Sequence, residues 1–284
     1  VVPPPGPGSL TWRLVGDWRG LLCGGRALLL QVAHPVVGAG VAEHSDFRAD
    51  PWSRLARTLT STMTFAYGGP VGAPAEADRL RALHRTIRGT DERGRRYHAL
   101  DPEAYAWVHL TLFETTLVVQ ERFGRALSPA DQRRLYAEWL AAGRLLGLRE
   151  GQVPPDLAAF RRYYDRMLAD RLEDNRSVRD VLAALADPAR PPWWPGPAAL
   201  WRPAGAAGGR LNTLVTVGTL PPVLRDRLGL AWSARDERRL ARFAALVRAV
   251  APRVPGRLRH HPIAWRAIRA AAGGPTAGRG ARPD

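Results

Sequence analysis

The chain has 284 residues, 45% of them hydrophobic, which suffices for a substantial core in one large domain or two small ones. Its net charge is +16, yet all 42 basic residues are arginine, as GC-rich coding produces, and they are dispersed with no nucleic-acid-binding motif among them. A single cysteine, Cys23, excludes an internal disulfide framework and a Cys-rich zinc site.

Apolar residues recur at three- and four-residue spacing and alternating runs are nearly absent, which predicts an all-α chain. Residues 1–15 read as a disordered, proline- and glycine-rich leader without the pattern of a signal peptide. Asp17 is expected to cap a helix running towards His34 and stopped by Pro35. Asp50-Pro51 predicts the start of a helix that ends at Tyr67-Gly-Gly-Pro70, and Pro74 the start of the next, closed by Gly89. A polar loop over 90–96 precedes a long helix opened by Asp101-Pro102 and ending near Gly124.

Ser128-Pro129 opens a helix reaching Gly147, and 155–186 reads as two helices meeting near Asn175. The segment 187–209, rich in Pro, Gly and Trp, is expected to be irregular. Further helices are predicted over 210–218, 221–228, 234–250 and 262–272, with a disordered tail at 273–284. The expectation is one all-helical domain over 16–272. No apolar stretch is long enough to span a bilayer, and the expected location is the cytoplasm.

The chemistry-bearing positions gather early in the chain. Leu80, Leu83, His84 and Ile87 share one helix stripe, so His84 is either a metal ligand or a core histidine bonded to a carbonyl. Arg54, Arg57, Thr58 and Ser61 share a face suited to gripping carboxylates, or to facing water. His34 ends an apolar helix, and Glu43-His44 is expected in a short polar turn. His109, on the long helix, is a rival ligand to His84. There is no Gly-x-Ser-x-Gly elbow, nucleotide-binding glycine pattern, His-Glu-x-x-His, Cys-x-x-Cys or Cys-x-x-Cys-His.

Taken in order, several blocks resemble the family that joins the latex-clearing rubber oxygenases and the fungal MpaB-type oxygenase. They are Gln31-Val-Ala-His34-Pro35, Gly40-Val-Ala-Glu43-His44-Ser45, Arg54-x-x-x-Thr58, His84-x-x-Ile87-x-Gly89 and Tyr97-x-Ala99-x-Asp101-Pro102. Trp107-Val108-His109, Gly218-Thr219-Leu220-Pro221-Pro222 and Leu228-Gly229-Leu230 follow. The resemblance implies a globin-like helical domain around non-covalent haem b, with His84 as axial iron ligand and Arg54, Arg57 and Thr58 beside the cofactor.

Rubber-cleaving members carry a lysine where this chain has Arg57, and they are exported, so rubber is not the expected substrate. His34, Glu43, His44 and Arg57 are the candidate catalytic groups. The implied activity is haem-dependent oxygenation or oxidation of a small organic molecule by dioxygen or peroxide, with specialised metabolism as the setting. A basic, non-enzymatic binding module for nucleic acid or acidic partners is the alternative. A non-haem metal site using His34, His44, His84 or His109 is the third reading.

Overall fold

Short polar side chains placed just ahead of a helix, in three cases followed by proline, decide where half of the α-helices begin. The computed structural model describes residues 4–273. Ser9 caps α1 (Leu10–Val15), Asp17 caps a 3-10 segment (Trp18–Cys23), and α2 (Gly24–Val32) follows directly. Pro35 opens α3 (Pro35–His44), and Asp50 accepts from the Ser53 amide to start α4 (Pro51–Tyr67). After α5 (Gly69–Thr86), the strands β1 (Arg88–Thr90) and β2 (Arg96–His98) pair antiparallel with Gly89 opposite Tyr97.

Asp101 and Ser128 cap α6 (Pro102–Phe123) and α7 (Pro129–Leu145). Asp156 caps α8 (Leu157–Arg166), which runs into a π-helical turn over Met167–Arg171, and Asn175 caps α9 (Arg176–Ala186). Then come α10 (Ala198–Thr219), α11 (Pro222–Arg227), α12 (Ala234–Val250), α13 (Gly256–Arg259) and α14 (Pro262–Ala272). Ser233 and Asp236 form a reciprocal capping box on α12. The chain is all-α, with one two-stranded ribbon among the described residues.

Several boundaries differ from expectation. The leader ends earlier than residue 15, because Leu10 and Trp12 are apolar enough to bury α1 in the core. Asp17 caps only the 3-10 segment, and His44 closes α3 instead of lying in a free turn. Pro74 sits inside α5, which starts at Gly69. The polar loop at 90–96 is the tip of a hairpin, too short for an alternating pattern to show. Half of the expected irregular segment is the first part of α10. The expected tail falls, from residue 274, outside the described residues.

The main core surrounds α6, whose Trp107, Leu110 and Phe113 are fully buried against Leu29 and Leu30 of α2, Leu135 of α7, Phe160 of α8 and Val178 of α9. A second cluster joins Cys23, Val119 and Phe123 to Val215 of α10 and Leu240 of α12. A third packs Trp12 of α1 against Met63, Ala66 and Tyr67 of α4 and Ala264 of α14. Both methionines, Met63 and Met167, are buried, as is Cys23, whose thiol burial raises to a pKa of about 11. No single helix among the described residues is long and apolar enough to cross a membrane.

Arg26 of α2 is buried at the meeting point of four helices. Its Nε donates to the Thr219 carbonyl at 2.7 Å, and its two terminal nitrogens donate to Thr115 Oγ1 at 2.9 Å and Tyr164 Oη at 3.1 Å. It also pairs with Glu114. A buried guanidinium is tolerated only when its donors are matched in this way. Arg26→Ala strips Glu114 of its countercharge and opens a void. It is expected to lower unfolding free energy by roughly 3–5 kcal/mol, read as a lower midpoint in urea denaturation at unchanged slope.

Candidate functional site

Helices α4 and α5 lie side by side, and the two ends of α4 are held very differently. At its C-terminal end Trp12 Nε1 donates to the Ala66 carbonyl at 2.8 Å, and the Tyr67 hydroxyl donates to the Trp12 carbonyl at 2.6 Å. At its N-terminal end residues 53–58 are all exposed. That is more than a full turn, so this part of the helix has no covered face, although it carries Leu55 and Ala56. Sequence periodicity gives Arg54, Thr58 and Ser61 one face; the structure leaves that face open at Arg54 and Thr58 and closes it at Ser61, which donates to Glu76 of α5.

His84 lies in the last turn of α5. Its Nδ1–H donates to the Leu80 carbonyl one turn back at 2.6 Å, which fixes the tautomer and leaves the Nε2 lone pair without a hydrogen bond among the described residues. Partial burial holds its pKa below the ordinary imidazole value; the bond to Leu80 opposes this, and the charges of Arg54 and Arg79 add to it. The ring stands edge-on to Tyr105 of α6, centroids 5.6 Å apart. The result is a neutral imidazole with one nitrogen anchored and the other free.

Arg54 has only hydroxyl partners, Thr58 Oγ1 at 2.6 Å and Ser45 Oγ at 3.4 Å, and no carboxylate among the described residues. Thr58 in turn donates to the Arg54 carbonyl. Arg57 points elsewhere, to Asp46 at 3.2 Å. Arg79, not singled out by the sequence, grips the buried Glu76 with two nitrogens at 2.6 and 2.8 Å, which holds that carboxyl below the usual range.

A second polar group forms between α3 and the ribbon. The Tyr97 hydroxyl donates to Glu43 Oε2 at 2.5 Å and accepts from His44 Nε2 at 3.1 Å. Burial, and then the Glu43 charge, raise the phenol pKa, so Tyr97 keeps its proton. Opposite it, Gly89 is the residue that makes room. A Cβ there would stand 2.6 Å from Tyr97 Oη and 2.8 Å from Glu43 Oε2. The spacing of Tyr97 and Gly89 about a short turn was the available signal, visible only once the hairpin is known.

Two of the expected site histidines are held in the core instead. His34, 1% exposed, meets Glu103 Oε1 through Nε2 at 3.2 Å, and Arg171 holds the same carboxylate. Burial lowers the pKa of His34 while Glu103 works against that. Its Nδ1 is buried without a partner among the described residues. His109 Nε2 donates to the Trp139 carbonyl at 2.9 Å, and Trp139 Nε1 donates to the His109 carbonyl at 3.0 Å. This reciprocal clasp joins α6 to α7 and engages His109 through Nε2.

His34, His44, His84 and His109 are not gathered about one point: no group of three or more His, Cys, Asp and Glu is arranged to hold a metal ion among the described residues. Two cavities, of about 580 and 520 Å³, open at α6–α8 and in the loop before α8, and neither is lined by an expected site residue. The buried Arg26 was missed by the sequence reading. A charge between Gly24-Gly25 and the run Ala27–Leu30 was its only mark.

Residues 12–249 match the family described as ER-bound oxygenase mpaB/B'/rubber oxygenase, catalytic domain. The chain belongs to this family. The match takes in every candidate site residue and stops at the end of α12, so α13 and α14 lie beyond it. Among curated proteins, uncharacterized proteins of Mycobacterium tuberculosis and Mycobacterium bovis are each 28% identical over 234 residues, 81% of this chain and 88% of theirs. No solved structure matches the chain significantly. As a member of an oxygenase catalytic family, the chain is an oxidoreductase whose reactants are oxygen and a small molecule.

The His109 clasp makes a test of the fold in this region. Burial depresses its pKa to about 4 in the folded chain; an unfolded histidine titrates near 6.5. The unfolded state therefore takes up a proton first as pH falls, and stability present above pH 6.5 is lost between about 6.5 and 4. Wild type is expected to lose on the order of 3 kcal/mol over that window. His109→Gln should flatten that part of the profile in denaturation experiments run across the same pH range.

Proposed function

We propose that the chain is a haem b-dependent oxygenase or oxidase of a small organic substrate, with His84 as the axial ligand of the iron. The observation that carries this reading is the His84 ring: neutral, fixed through Nδ1 to the Leu80 carbonyl, and free at Nε2. An anchored second nitrogen is the usual arrangement of a metal-binding histidine. The bare first half of α4, with exposed Leu55 and Ala56, supplies apolar surface for a planar cofactor to cover. The residues present fit the group.

Arg54, with no carboxylate of its own, would pair with a propionate, and Thr58 would hold the guanidinium in place. Arg57 departs from the lysine of rubber-cleaving members in more than size. A guanidinium stays protonated and has no lone pair to give a metal, so Arg57 cannot act as a ligand, and its bond to Asp46 sets it at the rim. Haem, when bound, supplies the activation of dioxygen or peroxide.

The Glu43–Tyr97–His44 group handles protons. Glu43 Oε2 accepts from the Tyr97 hydroxyl, and the Tyr97 oxygen accepts from His44 Nε2, so a proton taken by Glu43 would be replaced at Tyr97 by one from His44. His34 and His109 are positioning residues in this reading.

Protein expressed with haem supply, or mixed with haemin, should show an intense Soret band. His84→Ala should lose the band or shift it, and His109→Gln should keep it. A colourless protein that takes up no haemin, or an unchanged spectrum in His84→Ala, overturns the assignment. Tyr97→Phe should leave the spectrum intact while slowing turnover by about tenfold or more and altering its pH profile, measured with any substrate the wild type oxidises.

A further inference from the structure

Between Asp187 and Asp226 the chain has no acidic residue, while Arg190, Arg202, Arg210 and Arg225 fall inside that stretch. Its first part is rich in Trp and Pro, is tied to α4 through Trp52, and is braced internally by its own indoles. Trp52, at the start of α4, donates to the Ala189 carbonyl at 3.0 Å and meets Trp193 edge-on, centroids 5.0 Å apart. Trp194 and Trp201 donate to the carbonyls of Pro197 and Pro188, both at 3.3 Å. α10 lies so close on the end of α9 that a Cβ on Gly209 would strike the Ala186 carbonyl.

With its glycine side against α9, α10 turns Leu200, Ala206, Ala207 and Leu211 outward. Trp193 is 66% exposed and Leu200 57%. An uncovered face of tryptophan, leucine and alanine, in a stretch that carries arginine and no carboxylate of its own, has a specific chemical complement. We propose that the face formed by residues 190–211 docks on an anionic lipid surface.

Indole rings favour the boundary between headgroups and acyl chains, where an apolar ring and a polar N–H are both satisfied. Arginines beside them draw anionic headgroups, and the segment is already ordered, so little conformational freedom is lost on docking. A second copy of the chain is a poor occupant. Symmetric pairing would set this acid-free face against itself and bring like charges together, in a protein already at +16. Trp52 ties the face to the start of α4, so a docked molecule would hold the open half of that helix near the lipid. That consequence rests on the function proposed above; the docking itself does not.

The test is flotation of the full chain with vesicles of phosphatidylcholine alone or mixed with phosphatidylglycerol. Wild type should float with the mixed vesicles and not with phosphatidylcholine alone. Trp193→Ala combined with Leu200→Ala keeps the charge and touches no core residue, and should cut the bound fraction about tenfold. Arg190→Gln with Arg202→Gln should weaken binding to mixed vesicles, and unchanged thermal melts would show that both variants fold. Absence of wild-type flotation overturns the proposal. So does equal flotation of the Trp193→Ala, Leu200→Ala variant, which would mean general adsorption by arginine, or a dimer abolished by that variant without any vesicle binding.

Discussion

The Arg26 guanidinium has no route to water and spends its donors on a carbonyl at the end of α10, a hydroxyl on α6 and another on α8, while its charge is met by Glu114. Apolar packing alone would let these helices slide, because leucine against leucine is tolerant of small shifts. A planar fork of donors is not. Ion pairs of this kind are poor sources of net stability but costly to break, and they fix which residues meet. The main core and the smaller cluster around Cys23 and Phe123 both press against the elements that Arg26 joins. With α2 and α6 set, Tyr105 and Trp107 have fixed places, and the surface on which α5 rests is defined.

Against that fixed body, α4 is fastened at one end. Trp12 and Tyr67 lock its C-terminal turn through backbone carbonyls, and Ala264 of α14 closes over it. The opposite end is more open, tied among the described residues through Ser45, Asp46 and the Trp52 indole, which also meets Trp193. A helix with apolar residues and nothing covering them is expensive in isolation. On the function proposed above, that open end is where a bound cofactor would lie, beside His84, whose Nδ1 is anchored to the Leu80 carbonyl.

Local chemistry made much of this legible. Asp50-Pro51, Asp101-Pro102 and Ser128-Pro129 announced three helices because an N-cap oxygen and a preset φ act within four residues. Periodicity put His84 on an apolar stripe with Leu80, Leu83 and Ile87; the structure half-exposes Leu83 and bonds His84 Nδ1 to the Leu80 carbonyl. Pro74 misled because a proline in the first turns of a helix leaves few bonds broken, so it need not start one. His34 and His109 were not separable from His84 by periodicity, since all three lie on apolar faces; their partners, Glu103 and the Trp139 carbonyl, come from elements far along the chain. The Glu43–Tyr97–His44 group was hidden for the same reason. It depends on a hairpin of three-residue strands and on Gly89 having no side chain.

The chain contains three sulfur atoms, and all of them are indoors: Cys23 in the cluster beneath α12, Met63 under α1 and α14, Met167 at the π-helical turn. Sulfur is the easiest atom in a protein to oxidise, and the thiolate is far more vulnerable than the thiol. Burial pushes the pKa of Cys23 up to about 11, which favours the thiol over the thiolate. No sulfenic acid, sulfoxide or stray intermolecular disulfide has an exposed place to form. For a catalyst that works with oxygen, self-inflicted damage is thereby limited by placement alone, without any partner to repair it.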